Sequence, residues 1–185
     1  MSSVDDAFNR IKRGRFLPIS MQPLAGLDRA LPIGYDQTNS QPTTVRRMLG
    51  WLDVQPGQRV LDVGSGSGWT TALLAHIVGR QGHVYSVERI PELVQFGRNN
   101  CNKLKLKNVE FFEAGPEYGL PELAPFDRIL VSASADEFPD ELLDQLKIGG
   151  KMVIPIRDTI YEVTKLEGGK TKVTHHPGYV FVPLV

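Results

Sequence analysis

The stretch Val60-Leu61-Asp62-Val63-Gly64-Ser65-Gly66-Ser67-Gly68 decides the fold. Its apolar half reads as a short strand over 59–63, its second half as a glycine-rich turn. The text after it reads as a helix over 69–78, with Leu73, Leu74, Ile77 and Val78 together and Gly79 as its stop. Glycines let a backbone turn tightly and approach a ligand, and a helix N-terminus presents free N–H groups. A dinucleotide fingerprint needs a third glycine three residues after the second, and that position is Trp69. A pyrophosphate reading fails there, and with it most of the case for an NAD-dependent oxidoreductase.

Downstream, strands expected over 83–88, 109–113, 128–132 and 151–156 alternate with helices from Pro91 to about 104 and over 139–146, the latter closed by Gly149-Gly150. Such alternation implies βαβ units with right-handed crossovers and a parallel sheet covered on both faces. Upstream, an amphipathic stretch over 4–13 and a loop-like segment precede a helix over 43–52, whose apolar face is Val45, Met48, Leu49 and Leu52. The tail departs from the pattern. Segments 160–166 and 172–174 flank the turn Glu167-Gly168-Gly169-Lys170, and a strand over 179–184 follows without room for a helix, so the sheet finishes antiparallel. The expected fold is α/β, three-layered and mostly parallel, with antiparallel C-terminal strands.

Composition narrows the partners. At 185 residues the chain is sized for one domain, 1–185, of the usual ~150-residue order. Lys plus Arg and Asp plus Glu are each 21, so the basic excess of a phosphate-neutralising nucleic-acid binder is missing. The lone Cys101 forms no internal disulfide, and no metal site is expected, His175-His176 reading as surface residues. No apolar run nears the ~18 residues of a membrane span. The start, Met1-Ser2-Ser3-Val4-Asp5-Asp6, is acidic rather than signal-like. The expectation is a cytoplasmic protein without nucleic-acid or membrane partners; oligomeric state stays open.

Two carboxylates frame the glycine turn. Glu88, at the end of the second strand of the alternating series, can accept from both hydroxyls of a ribose; the alternative is an exposed strand-end charge. Asp62, two residues before the first glycine, either faces a cationic ligand group or ties down its own loop. A ligand with a ribose, an ammonium and no phosphate fits, and S-adenosyl-L-methionine is such a molecule. Trp69, directly after the turn, is either core or a wall of the pocket.

The sequence from Leu31 onward resembles the protein-L-isoaspartate O-methyltransferase family. Its signature is close to L-P-I-G-[YF]-x-Q-T-I-S-A-P, here Leu31-Pro32-Ile33-Gly34-Tyr35-Asp36-Gln37-Thr38-Asn39-Ser40-Gln41-Pro42. Similar text recurs at Val87-Glu88-Arg89-Ile90-Pro91, Ala124-Pro125-Phe126-Asp127-Arg128-Ile129, Ile154-Pro155 and Phe181-Val182-Pro183-Leu184. The resemblance implies a Rossmann-like S-adenosylmethionine-dependent methyltransferase fold. It further implies methyl transfer to the free α-carboxylate of isoaspartyl residues in damaged peptides or proteins, with S-adenosyl-L-homocysteine as product.

By that resemblance Ser40 is the catalytic-site residue, its hydroxyl reaching the substrate carboxylate, although it is also placed to cap the helix that follows. Gln37, Thr38 and Asn39 would cover the methionine end of the cofactor. Asp62, Gly64, Ser65, Gly66, Glu88, Arg89, Ala114 and Gly115 would complete its site.

Several positions depart from the family pattern. Asp36 replaces a small residue and needs to point away from the substrate or pair with a cation such as Arg46. Asn39 and Gln41 replace apolar residues, which makes a different carboxylate, an aspartyl side chain or a small acid, the alternative substrate. Ala114-Gly115-Pro116 stands where the family has Gly-Asp-Gly, so an adenine-binding carboxylate and an N–H are lost unless Glu113 substitutes. That loss motivates a non-catalytic cofactor-binding protein as a further alternative. The segment 1–42, with about 30 residues before the signature, is shorter than the family's usual lead and implies a smaller lid or one shared with a partner chain.

Overall fold

The computed structural model describes residues 3–184; Met1 and Ser2 of the acidic start, and Val185, which ends the matched text, lie outside the described residues. Helix α1 (Ser3–Arg10) leads through two short 3-10 turns to the hairpin β1 (Leu31–Gly34) and β2 (Gln37–Asn39), then α2 (Pro42–Leu52). The alternating part follows as β3 (Arg59–Val63), α3 (Trp69–Val78), β4 (His83–Glu88), α4 (Pro91–Lys103) and β5 (Val109–Glu113). It ends with β6 (Phe126–Val131), α5 (Asp140–Asp144), β7 (Leu146–Ile156), β8 (Thr159–Lys165) and β9 (Thr171–Pro177).

Seven strands form one sheet in the order β5-β4-β3-β6-β7-β8-β9. The first five pair in parallel, and β8 and β9 add antiparallel. The chain leaves β3 toward β4 and β5 on one side, then returns to place β6 on the other. Ligands in open α/β sheets bind at such a reversal, outside the carboxyl ends of the strands.

Strand residues alternate between two cores. Val60, Val84, Leu130 and Val153 face a layer built by α1 to α4. Leu61, Val87, Ile129 and Met152 face the opposite side, where Leu142 of α5, Leu120, and Leu123 of a short 3-10 turn cover them. The third layer is therefore thin. Only His76 of α3 escapes burial, because that helix lies between the sheet and α1. His76 is itself half-covered and paired with Asp6 of α1 at 2.6 Å.

Two expectations are corrected. The helix over 139–146 stops at Asp144, and β7 begins at Leu146, five residues ahead of the expected strand. Gly149 (φ 78°) and Gly150 lie inside a bulged strand, where the register jumps from Phe126↔Leu146 to Arg128↔Lys151. The residues 179–184 form no ladder. Gly178 (φ 94°) turns the chain, and the N–H groups of Gly178 and Tyr179 both donate to the Asp158 carbonyl. The tail then crosses the carboxyl ends of the sheet, held by Ser134 N–H to the Val182 carbonyl and Leu184 N–H to the Ser134 carbonyl, each 2.8 Å. It closes a site instead of widening the sheet.

Candidate active site

A cavity of about 210 Å³ opens over the carboxyl ends of β3, β4, β5 and β6. Its floor is the glycine turn. Gly64 leaves β3 at φ 74°, and a Cβ there would lie 3.6 Å from that of Ala133, while one on Gly66 (φ 50°) would lie 3.1 Å from Ile33 Cδ1. Side chains at either position would fill the space above the turn. The turn's N–H groups are largely used internally: those of Gly64 and Ser65 donate to the Val87 carbonyl, and that of Gly66 to Glu88 Oε2 at 2.9 Å. A phosphate would therefore find few donors.

Glu88 ends β4 and is 8% exposed. Its Oε1 accepts from the Ile90 N–H at 3.0 Å, so each oxygen holds one backbone group and keeps a lone pair for the cavity it lines. Ser65 contributes a buried hydroxyl with no hydrogen-bond partner among the described residues. An unpaired buried hydroxyl on a cavity wall is a group waiting for a polar ligand. A carboxylate on the cavity wall, an orphan hydroxyl and a turn whose glycines leave space above it fit a sulfonium nucleoside.

Of the residues expected at the site, Gln37, Thr38, Asn39, Ser40, Gly64, Ser65, Gly66, Glu88, Arg89, Ala114 and Gly115 line this one cavity. Asp62 does not, which corrects its placement against a ligand. It is fully buried beneath the turn, accepting from the hydroxyls of Thr70 (2.9 Å) and Thr71 (2.6 Å) of α3 through one oxygen, while Oδ1 has no partner. Burial pushes its carboxyl up to about 6 against the pull of the two hydroxyls. Asp62 ties the turn to its helix.

The side chain of Asn39 is also committed elsewhere. Its Oδ1 accepts from Arg13 Nε at 2.7 Å and its Nδ2 donates to Ser67 Oγ at 3.1 Å. Asp36 lies at the hairpin tip, exposed, with φ 55° after Tyr35 at 56°, and lines no cavity; Arg46 pairs with Asp5 instead of with it. Asp tolerates this left-handed position better than most residues with a side chain. Glu113 is exposed in β5 and off the cavity, so it supplies no adenine contact in place of Gly115.

Ser40 is not the helix cap. Gln41 holds that position, and Asp28 reaches across to accept from the Thr43 N–H at 2.9 Å and the Thr43 hydroxyl at 2.7 Å. The Thr43 N–H above all holds the Asp28 carboxyl below the usual range. The Ser40 hydroxyl is left without a hydrogen-bond partner among the described residues. It stands where the first cavity meets a second of about 490 Å³, lined by Arg29, Gln41, Tyr179, Val180 and Phe181 among others. Thr38, Ser132 and Val182 border both.

Sequence reasoning missed several of these groups. Nothing in the basic run Arg10 to Arg15 singles out Arg13, which is 6% exposed and donates to carbonyls from Ala25 to Ser40. Ser132 and Ala133 were legible only as a strand end. Gly97 carried a signal, a glycine inside a helical pattern. A Cβ on Gly68 would come within 3.0 Å of its Cα, so α4 packs backbone to backbone on the turn. Trp69 is 3% exposed and borders the cavity, with Phe8 edge-on at 5.4 Å: both core and wall.

Comparison with known proteins agrees with this geometry. A sequence-family model described as "Protein-L-isoaspartate(D-aspartate) O-methyltransferase (PCMT)" matches residues 1–185. The Protein-L-isoaspartate O-methyltransferase of Methanothrix thermoacetophila is 43% identical over 185 residues, spanning 98% of this chain and 87% of the relative. That of Pyrococcus horikoshii is 43% identical over 187 residues, spanning 98% and 84%. A solved protein-L-isoaspartate O-methyltransferase superposes with TM-score 0.89 at 29% identity, over all of this chain and 62% of its own. A second, from Plasmodium falciparum and in complex with S-adenosyl-L-homocysteine, gives 0.86 at 29% identity over 100% and 91%.

The strand order and the cavity over the glycine turn define the chain as a Rossmann-like S-adenosylmethionine-dependent methyltransferase. More narrowly, it belongs to the protein-L-isoaspartate O-methyltransferase (PCMT) family.

Proposed function

We propose that the protein methylates the free α-carboxylate of L-isoaspartyl residues in damaged proteins or peptides, in the cytoplasm, with S-adenosyl-L-methionine as donor. The observation that carries this reading is the position of Ser40, whose hydroxyl has no hydrogen-bond partner among the described residues and which lines both the first cavity and the second. Donor and acceptor approach from different sides and meet beside it.

Bound in the first cavity, the cofactor would supply a methyl on a sulfonium, which an already ionised carboxylate takes without a general base, leaving S-adenosyl-L-homocysteine. The residues therefore position and desolvate. Glu88 accepts from the ribose hydroxyls, Ser65 offers its orphan hydroxyl, and Gln37, Thr38 and Arg89 wall the methionine and ribose ends. Ala114 and Gly115 flank the adenine. Ser40 donates to the acceptor carboxylate and fixes its angle of approach. Alignment of two reactants out of water is worth up to ~7–11 kcal/mol, which removes the need for an acid–base pair.

The polar departures from the family pattern argue little for a different acid. Asn39 is held by Arg13 and Ser67, Gln41 donates to Asp28 at 3.1 Å, and Asp36 is exposed and lines neither cavity. The test is a methyl-transfer assay comparing an isoaspartyl peptide with its normal aspartyl isomer. Transfer to the isoaspartyl peptide alone, reduced about tenfold to a hundredfold in kcat/KM by Ser40→Ala as expected for one lost hydrogen bond to a charged group, supports the reading. Equal transfer to both peptides points to another carboxylate, and no transfer to any acid points to a non-catalytic cofactor binder.

A further inference from the structure

Arg13 lies at the centre of the acceptor side of the molecule. The residue is 6% exposed, and among the described residues no carboxylate lies within salt-bridge distance of it, although it feels the charge of Asp28. It instead has six acceptors: the carbonyls of Ala25, Leu27, Arg29, Asn39 and Ser40, and the side-chain oxygen of Asn39. Five rigid N–H donors thus gather the segment 25–29 and the backbone at Ser40 to one point. The other end of the Asn39 amide donates to Ser67 Oγ at 3.1 Å, within the glycine turn, and the Ser67 carbonyl accepts from Asn100 Nδ2 of α4 at 3.1 Å. Asn39 and Ser67 are 5% and 2% exposed, so water does not compete for either bond. The Asn39 amide is the one side-chain hydrogen bond between the β2–Ser40 segment and the turn among the described residues.

We propose that Asn39 is a positioning residue that joins the acceptor side to the cofactor turn through Arg13 and Ser67, and so sets the placement of Ser40 relative to the transferable methyl. This rests on the reading above. The segment 25–30 lines no part of the first cavity. Arg13 to the Ser40 carbonyl and Asp28 to Gln41 and Thr43 tie it to the acceptor side, and the Asn39–Ser67 bond carries that side on to the cofactor turn.

The test uses the full chain with Asn39→Leu, Ser67→Ala and Asn39→Asp. Asn39→Asp keeps the acceptor for Arg13, and the Ser67 hydroxyl can reverse to donate to it. Two readouts are taken. In hydrogen exchange, S-adenosyl-L-homocysteine slows the amides of 25–30 in the wild type and in Asn39→Asp, and loses that effect in Asn39→Leu and Ser67→Ala. In the transfer assay, Asn39→Leu and Ser67→Ala lower kcat about tenfold to a hundredfold, the cost of a misplacement near 1 Å, with calorimetric affinity for S-adenosyl-L-homocysteine within about twofold. The double variant falls no further than either single one, and Asn39→Asp recovers most of the rate. Unchanged exchange protection in both broken-link variants overturns the proposal. So does a kcat loss matched by equal losses of affinity and Tm, the mark of a merely structural bond. A wild type that methylates no isoaspartyl peptide sinks the functional reading instead, and the exchange experiment still decides the link.

Discussion

The N–H of Gly66 donates to Glu88 Oε2 at 2.9 Å, so the carboxylate expected to hold the ribose also shapes the turn beneath it. Because Ile90 N–H occupies the other oxygen, β4, the turn and the start of α4 converge on one side chain. Glu88→Gln presents an NH₂ to one of these two donors and removes the charge. Hydrogen bonds to charged groups are worth ~1.5–3 kcal/mol, so affinity for S-adenosyl-L-homocysteine is expected to fall about tenfold to a hundredfold by calorimetry. An affinity within twofold of the wild type removes Glu88 from the cofactor site.

Gly115 borders the cavity where the resemblance implies an acidic residue. A Cβ there meets nothing within 4 Å, and its φ is not in the left-handed region, so a side chain is tolerated. Gly115→Asp is expected to add one hydrogen bond to the adenine amino group. One such bond is worth ~0.5–1.5 kcal/mol, a gain of about twofold to tenfold in affinity for S-adenosyl-L-homocysteine. An unchanged Kd means that the adenine is held elsewhere.

How much of this was legible depended on the range of the interactions. The elements β3, α3, β4 and β5 fall at their expected residues because each is written locally, in apolar periodicity bounded by Gly or Pro. Gly149-Gly150 misled because a glycine pair reads equally as a helix stop or a strand bulge, and only the pairing with β6 decides. The tail failed for a similar reason: β-type text at 179–184 is overridden by Gly178 and by hydrogen bonds to Ser134, both products of the fold. At the site, the sequence named many of the residues that line the cavity, though not Ser132, Ala133 or Glu117, and it did not give the direction of their side chains. Asp62 and Asn39 carry the right chemistry and turn it toward Thr71 and Arg13, contacts set by partners 9 and 26 residues away.

Asp62 gives the protein a pH signature of its own. Its folded-state carboxyl is raised from 3.8 to about 6 by burial, so folding favours its protonated form. Below pH ~4 it is protonated in both states and costs nothing. As pH rises toward 6 the unfolded chain ionises first and this part of the stability is lost, with no further change above the folded-state value. Asp62→Asn removes the ionisation, so its stability relative to the wild type is expected to improve between pH 4 and 6 and then level off. Urea denaturation at pH 4, 5, 6 and 7 measures this, and two parallel stability curves would show that Asp62 does not titrate in that window.

Gly97 and Gly50 are both helical glycines, and the structure sets them apart. At Gly50 of α2 an added Cβ meets nothing within 4 Å. At Gly97 of α4 it would lie 2.8 Å from Phe111 Cε1, 3.2 Å from the Gly66 carbonyl oxygen and 3.3 Å from the Gly68 nitrogen. Replacing a helical glycine by alanine gains ~0.8–1 kcal/mol of propensity at either site. Overpacking costs ~1–3 kcal/mol, and at Gly97 two of the three neighbours are backbone of the cofactor turn, which cannot rotate aside as a side chain can. The close contact outweighs propensity there. Gly50→Ala is expected to raise Tm by about 2–4 °C, the shift that ~1 kcal/mol produces in a protein this size. Gly97→Ala is expected to lower Tm by a similar amount and, by displacing Gly66 from Glu88, to weaken S-adenosyl-L-homocysteine binding, which Gly50→Ala leaves untouched. A Gly97→Ala variant as stable and as tight-binding as Gly50→Ala would mean that α4 does not brace the turn.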